Sequence, residues 1–390
     1  MNFTEQMIIG LEVHIELNTQ SKLFCSCATT GTDTPNTRVC QTCLGHPGSK
    51  PVVNKAAIEK GIKLALATKC ELAPRLIFSR KSYFYPDMSK NYQITQYEEP
   101  LGSNGILQID AEKLVGIERV HLEEDPAAMQ HLTGYSLVDY NRSGNPLIEL
   151  VTKPELYSPE EARAFMKKLR TVLLYLDIFD PERCIIKADA NISIKQSGYS
   201  RVEIKNVTGF KEIERALFYE VERQQLIAQE GREILQETRG WDAAKGLTYG
   251  MRLKETEADY GYIIDPDLVP IDLDDRWIDS LRKDVPELAD EKTERFTKLG
   301  VDPMDAQVLA QNKDIAELFD EVSKHIKAHE AAKWIRREVM RVLNFAKKSL
   351  ADSKINAQQL IDLLHMIEHK QITEKTGQKL MEEIVDTELN

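Results

Sequence analysis

Residues 10 to 17, Gly-Leu-Glu-Val-His-Ile-Glu-Leu, alternate between apolar and polar side chains. Leu11, Val13, Ile15 and Leu17 fall on one side; Glu12, His14 and Glu16 fall on the other. Successive side chains of a strand point to opposite faces, so a period of two predicts a half-buried strand over about 7–17. Its polar face is the strongest constraint in the chain. It lines up two carboxylates and an imidazole, and carboxylates gathered in a cleft repel one another unless a cation neutralises them.

Three further segments place acids at strand ends or on a polar strand face: His121-Leu122-Glu123-Glu124-Asp125, Pro146-Leu147-Ile148-Glu149 and Asp189-Ala190-Asn191. Oxygen ligands with one imidazole suit magnesium or manganese, and magnesium commonly serves phosphates. If the segments converge, they predict a magnesium-dependent phosphoryl-transfer site. If they do not, they are solvated strand faces. There is no GxxxxGK[ST] and no GxGxxG, so an ATP site here is of another kind. Lys81, Lys90, Arg142 and Lys205 are candidates for holding phosphates, with ordinary surface charge as the alternative for each.

The remaining elements set the architecture. Asn54 precedes a helix from Lys55 to about Thr68, as an N-cap does. Ser158-Pro159-Glu160-Glu161 reads as an N-cap, a proline at the first helical position and a capping box. Residues 188–194 and 201–205 read as a hairpin around Gln196-Ser197-Gly198, with Asp189 and Asn191 on one face and Glu203 and Lys205 on another. From about residue 287 strand signals vanish and helices cover the rest. The expected class is α+β: a cradle domain over 1–288, followed by an all-α helical domain over 289–390. At 390 residues, two domains are the default. The helix around 329–350 carries Lys333, Arg337, Arg341 and Lys348 on one stripe, either an RNA contact or a solvated face.

Four of the six cysteines cluster as Cys25-Ser-Cys27 and Cys40-Gln-Thr-Cys43. Two short knuckles a dozen residues apart suit tetrahedral zinc, and four thiolates leave no open position, so the site is structural. His46 is a weaker candidate, and Cys70 and Cys184 are isolated. The net charge of −12 argues against a protein that coats nucleic acid through bulk charge. The N-terminus lacks a signal peptide and no apolar run approaches a membrane span, so no membrane contact and a cytoplasmic location are expected.

Six strings occur in order: Gly10 to Glu16, Arg80 to Asp87, Asn91 to Gln96, His121 to Asp125, Ser136 to Arg142 and Pro146 to Glu149. Together they resemble the family of the B subunit of the aspartyl/glutamyl-tRNA(Asn/Gln) amidotransferase, whose catalytic domain the E subunit of the archaeal glutamyl-tRNA(Gln) enzyme shares. The resemblance implies a cradle-shaped antiparallel sheet with packed helices and a following helical domain. It implies ATP-dependent phosphorylation of the side-chain carboxylate of Glu or Asp misacylated on tRNA. Ammonia from the amidase subunit then displaces the phosphate, in a complex completed by a small third subunit. By position it implies His14, Glu124 and Glu149 as magnesium ligands, Glu12 and Asp189 as acids of the same pocket, and Lys81 and Lys90 as polar residues near an ammonia path. It assigns Cys25, Cys27, Cys40 and Cys43 to zinc.

Departures from the family pattern are specific. Lys187-Ala188 stands where Arg-Cys is usual, an acidic Gly-Ser turn becomes Asp180 to Cys184, and Asp259-Tyr-Gly261-Tyr replaces Asp-Tyr-Arg-Tyr. An arginine is a fixed bidentate anion binder that lysine and glycine do not replace. A further helical tail is usual in the family, and the sequence stops at Asn390, near where it would begin; either the sequence is truncated there or this member lacks the tail, in which case weak tRNA affinity is expected. Two other readings stay open: a paralogue activating a different carboxylate, and a non-catalytic zinc-stapled RNA-binding module.

Overall fold

The structure, a computed structural model, describes residues 5–253 and 260–385. The chain forms two compact units, Met1–Val285 and Pro286–Asn390.

The first unit is built on a nine-stranded sheet. Numbering only its strands, these are β1 Met7–Glu16, β2 Glu71–Leu72, β3 Gly102–Gln108, β4 Leu114–Glu124, β5 Pro146–Thr152, β6 Ile186–Ile194, β7 Val202–Thr208, β8 Glu237–Asp242 and β9 Leu247–Leu253. Their spatial order is 9-8-7-6-1-5-4-3-2, which sets β1 at the middle. Leu11, Val13 and Ile15 are buried and Glu12, His14 and Glu16 half-buried, as the alternation requires. Helices α1 Lys55–Ala67, α2 Pro159–Tyr175 and α3 Phe210–Gln229 pack with the sheet, and α4 Asp275–Asp284 lies beside α1. Gly61 of α1 sits beneath Leu122 of β4, on the face opposite His121 and Glu123.

The expected antiparallel sheet needs one correction. All neighbours are antiparallel except β7 and β8, which run parallel. The cause is α3, which occupies the connection between them. A parallel pair needs a crossover of a dozen or more residues, and the 20-residue helix supplies it.

The helix starts follow their capping chemistry. Asn54 accepts from the Ala56 and Ala57 N–H groups, and Ser158 accepts from that of Glu161. Glu161 does not close the expected box on Ser158; its carboxylate accepts from the Tyr157 N–H at 2.8 Å, one residue earlier.

In the second unit, helices span Ala289–Lys298, Pro303–Ala310, Lys313–Val322, Ala328–Trp334, Met340–Ala346, Ala357–Glu368 and Glu374–Ile384. The helix expected at 329–350 contains a π-helical turn at Ile335–Val339, which shifts the register of the basic stripe. Arg341 in that stripe is paired with Glu338 at 3.0 Å and Glu382 at 2.9 Å. No helix among the described residues is long and apolar enough to cross a membrane.

The seam between α1 and β3 leaves no spare volume. The Ile106 N–H donates to the Thr68 carbonyl at 2.8 Å. A Cβ on Gly105 would lie 2.8 Å from that carbonyl oxygen and 2.3 Å from Cys70 Sγ. Backbone cannot retreat cheaply, so Gly105→Ala is expected to destabilise the first unit by about 1–3 kcal/mol. A lower urea midpoint with an unchanged slope checks this.

Candidate active site

Cross-strand pairing assembles the site. His14 on β1 lies opposite Glu149 on β5, and Glu12 opposite Asp189 on β6. Glu149 in turn lies opposite His121 on β4, and Leu147 opposite Glu123. Side chains on facing strand positions come within reach of one another, so acids from β1, β4, β5 and β6 share one face.

They form two adjoining clusters. In the first, His14 Nε2 stands 3.2 Å from Glu149 Oε2 and 3.5 Å from Glu123 Oε1. In the second, Glu12, Asp189 and Glu203 offer carboxylate oxygens within 4.8 Å of one another. Lys205 Nζ bridges Asp189 at 2.7 Å and Glu203 at 3.0 Å. The Asn191 amide donates to Glu12 at 3.0 Å.

A β-bulge aims this lysine. Ala188 pairs with Val207 and Ala190 with Ile204, so Asp189 alone faces both Lys205 and Asn206. Asn206 takes a left-handed conformation, φ 58°, and its N–H donates to Asp189 at 2.6 Å. One carboxylate thus receives an ammonium and an amide from consecutive residues.

Charge state follows from this crowding. Burial disfavours the His14 imidazolium, but the hydrogen bond to Glu149 and the field of Glu123 outweigh it and raise His14 to about 10. Burial and the neighbouring Glu149 push Glu123 up to about 7. Glu149 lies well below the usual carboxylate range despite burial, because of His121 where that ring is protonated at low pH and of His14 and Arg119 throughout. Burial takes His121 down to about 4, which keeps it neutral. Glu12 is raised by burial and by Glu149, while Asp189 stays below the usual range, burial notwithstanding, because of Lys205 and His14.

The cleft residues named from sequence separate into two groups. Glu12, His14, Glu149, Asp189, Lys81, Arg142 and Lys205 all line one cleft. Glu124 does not. The carboxylate beside His14 and Glu149 is Glu123, and Glu124 instead holds Lys90 and accepts from the Ile94 N–H at 2.8 Å. The reason is the pleat: His121 and Glu123 are two apart on β4 and share a face, which Glu124 cannot. Lys90 follows Glu124 away from the cleft. Arg142 is tied to Asp125 and, at 3.0 Å, to Glu16. Alternation left Glu123 and Glu124 open, and Lys187 entered only as a departure from the family pattern; Arg119 was not named, although alternation from Glu123 back through His121 reaches it. Gly261 has φ 51° with open space where a Cβ would stand, and Asp259 lies outside the described residues.

Donor chemistry permits two metals. A cation about 2.1 Å from each ligand sets neighbouring ligands roughly 3 Å apart; His14 stands 3.2 Å from Glu149 and 3.5 Å from Glu123, and the three ligand atoms lie within 4.8 Å of one another. The Sγ atoms of Cys25, Cys27, Cys40 and Cys43 lie within 4.8 Å of one another. Cys40 and Cys43 are 3.9 Å apart, where tetrahedral bonds of about 2.3 Å require a little under 4 Å. A hydrogen bond from Cys25 lowers Cys43 to about 4, and burial raises Cys27 to about 11. His46 is exposed and stands outside the cluster.

Comparison with known proteins decides the family. A profile of the GatB/GatE catalytic domain matches residues 7–279, and one of a GatB domain matches residues 317–390. The chain belongs to the GatB/GatE family. It is 43% identical over 394 residues to the aspartyl/glutamyl-tRNA(Asn/Gln) amidotransferase B subunit of Thermodesulfovibrio yellowstonii, covering 98% of this chain and 83% of the relative. The same-named subunits of Moorella thermoacetica and Thermotoga maritima are 43% and 42% identical, each covering 97% of this chain and 83% of the relative. The matched region contains every strand of the GatB/GatE cleft and the cysteine cluster.

Lys205 is the second cluster's main counter-charge. Lys205→Met is expected to cost about 3 kcal/mol, as removal of one partner from a buried ion pair does. The sign with pH is defined. Asp189, depressed in the folded state, stabilises above its unfolded value and loses this as pH falls. Without Lys205, Asp189 loses its main counter-charge and Glu12 is raised further, so the deficit is largest near pH 8 and shrinks toward pH 5. Urea midpoints of both proteins at the two pH values test it; a deficit that grows on acidification contradicts it.

Proposed function

We propose that this chain is the substrate-activating subunit of a glutamine-dependent tRNA amidotransferase. ATP phosphorylates the side-chain carboxylate of Glu or Asp misacylated on tRNA, and ammonia from an amidase subunit then forms the amide. The observation that carries this reading is the cleft itself, where His14, Glu123 and Glu149 adjoin Lys81, Arg142, Lys187 and Lys205. Acids that gather a cation, ringed by ammonium and guanidinium groups, suit the transfer of a phosphoryl group to a carboxylate.

The first step joins a carboxylate oxygen to the γ-phosphorus and releases ADP. In the second, ammonia nitrogen bonds to the acyl carbon, the C–O bond breaks, and inorganic phosphate leaves. A carboxylate is a poor acyl donor and an acyl phosphate a good one, so the ATP is chemically required. His14, Glu123 and Glu149 would hold magnesium, which supplies charge neutralisation between phosphate oxygens. Lys205 and Lys81 face the same floor and offset negative charge developing there. Arg142, fixed by Asp125 and Glu16, presents a rigid guanidinium to an anionic group beside Lys187. The cysteine cluster would hold a structural zinc. An amidase subunit, a small third subunit and a misacylated tRNA are the partners this reading requires, and a cytoplasmic setting fits it.

Combining this chain with its amidase and small partner, glutamine, ATP and misacylated Glu-tRNA(Gln) or Asp-tRNA(Asn) is expected to yield amide and ADP. Glu123→Gln is expected to lower kcat at least a hundredfold. ATP turnover on another carboxylate, with neither tRNA amidated, would favour the paralogue reading.

Metal binding has a proton signature. With His14 raised to about 10, a ligand proton must leave as the cation enters. Manganese titrations in buffers of different ionisation enthalpy should report about one proton released near pH 7.5, with affinity rising as pH rises toward 9. His14→Gln should remove the pH dependence above about pH 8, leaving only the part that Glu123, at about 7, contributes. An affinity independent of pH in the parent chain rejects His14 as a ligand.

A further inference from the structure

The cleft has two lobes over a common floor. One, of about 220 Å³, reaches from His14 to Arg142 and Lys187. The other, of about 170 Å³, reaches from Glu12 to Arg119 and three tyrosines. Lys81, Glu123, Glu149 and Lys205 line both. Pockets that enclose ligands of nucleotide size run to about 300–1,000 Å³, so neither lobe holds a nucleoside triphosphate alone. Such a ligand has to extend across the shared floor.

The lobes differ in chemistry. The first is walled by cations, and its tyrosine is Tyr83. The second is walled by a flat aromatic surface. Tyr97 and Tyr262 stack with centroids 4.0 Å apart and planes within 10°. Tyr260 meets Tyr262 edge-on at 6.3 Å, and Lys81 Nζ lies 4.7 Å over the Tyr260 ring. Tyr97 remains 44% exposed.

This surface is firmly mounted. Ser79–Ser82 pairs with Tyr92–Thr95 on one side and with Ile263–Ile264 on the other. That small sheet carries Lys81 in its middle strand, Tyr262 immediately before one edge and Tyr97 two residues beyond the other. The Gln96 side chain accepts from the Leu122 N–H at 3.0 Å, which fixes the approach of Tyr97 to the strand bearing His121 and Glu123. A rigid tyrosine pair with a cation between it and the acid floor is suited to a base at one end and phosphates at the other. Stacking on aromatic side chains is the general way proteins hold a nucleobase without reading its edge.

We propose that the Tyr97–Tyr262 stack is the wall against which an adenine lies, with Arg119 and Lys81 along the line from base to floor. The inference rests on the ATP-dependent reading above. Two adenosines enter that reaction, one in ATP and one at the acylated 3′ end of tRNA, and their shared chemistry is what the wall recognises.

The test uses the assembled three-subunit enzyme. Tyr97→Leu and Tyr262→Leu are each expected to change one of two quantities about tenfold. A weaker ATP Kd by calorimetry with an unchanged KM for Glu-tRNA(Gln) assigns the wall to ATP. The opposite split assigns it to the terminal adenosine. Tyr97→Phe keeps the ring and should retain most of the affinity. Saturation-transfer NMR on the unaltered enzyme reads the contact without any substitution: irradiating the aromatic ring protons should saturate adenine H2 and H8 of ATP or of a short acceptor-end oligonucleotide. Both quantities within twofold in the leucine variants, or saturation confined to ribose protons for both ligands, overturns the wall while the parent reading stands on amide formation. A parent enzyme inert toward ATP overturns both.

Discussion

Negative charge gathered on one face of the sheet is the constraint on which the first unit depends. Glu12, Glu123, Glu149, Asp189 and Glu203 stand within two cross-strand steps of the central strand, and four of them are buried. Isolated carboxylates in such a setting cost several kcal/mol each. The fold meets this cost with specific counter-charges. His14 is held as an imidazolium between Glu123 and Glu149, Lys205 spans Asp189 and Glu203, and Arg119 reaches Glu149 at 3.6 Å. Burial is therefore compatible with ionisation, and the arrangement keeps a mixture of protonation states near neutrality. Glu123 near 7 beside a strongly ionised Glu149 has the divided titration expected of a carboxylate pair sharing one site.

Much of this was legible in the chain. The Gly10–Leu17 alternation defined the central strand and assigned Glu12, His14 and Glu16 to one face, because strand periodicity is local and needs no tertiary information. Pairing is not local, and that is where the reading of acids stopped. The pleat puts His121 and Glu123 on one face of β4, but only the register of β4 against β5 shows that this face is the one beside His14 and Glu149. The bulge at Asp189 was invisible for a different reason. It depends on one asparagine adopting a positive φ, and Asn tolerates that conformation without demanding it. The parallel β7–β8 pair was not legible because strand direction is set by the helix that connects the two strands, and neither strand's local pattern records it.

The cysteine loop is coupled to the cleft through backbone groups. Ser89 Oγ donates to the Cys43 carbonyl at 2.7 Å, and Ser143, next to Arg142, reaches the same oxygen at 3.4 Å. The Asn36 side chain donates to the Val138 carbonyl and accepts from the Tyr140 N–H, and the Asn141 side chain accepts from the Arg38 N–H. Lys22, fully buried, donates to the Tyr140 carbonyl at 3.1 Å, and its charge helps lower Cys43. The thiol cluster and the turn that presents Arg142 are thus parts of one hydrogen-bonded block. Order at the cysteines constrains where the guanidinium stands.

This coupling also bears on the departures from the family pattern. Lys187, where the resemblance implied an arginine, stands near Arg142, and burial with the nearby guanidinium lowers its pKa. A flexible ammonium can neutralise an anion but cannot fix its orientation as a planar fork does. Orientation in that lobe then falls to Arg142, held by Asp125 and Glu16 on a turn braced by the cysteine loop. At the other lobe Gly261 removes a side chain from the segment that ends in Tyr262. The left-handed backbone it adopts, φ 51°, is one that arginine reaches only at a steric cost. Lys187 lines the first lobe, whereas Gly261 leaves open space beyond its backbone. The acid floor and the cation-lined wall are therefore carried by different residues of this chain, and in the first lobe Arg142 is the cation whose orientation is fixed by two carboxylates.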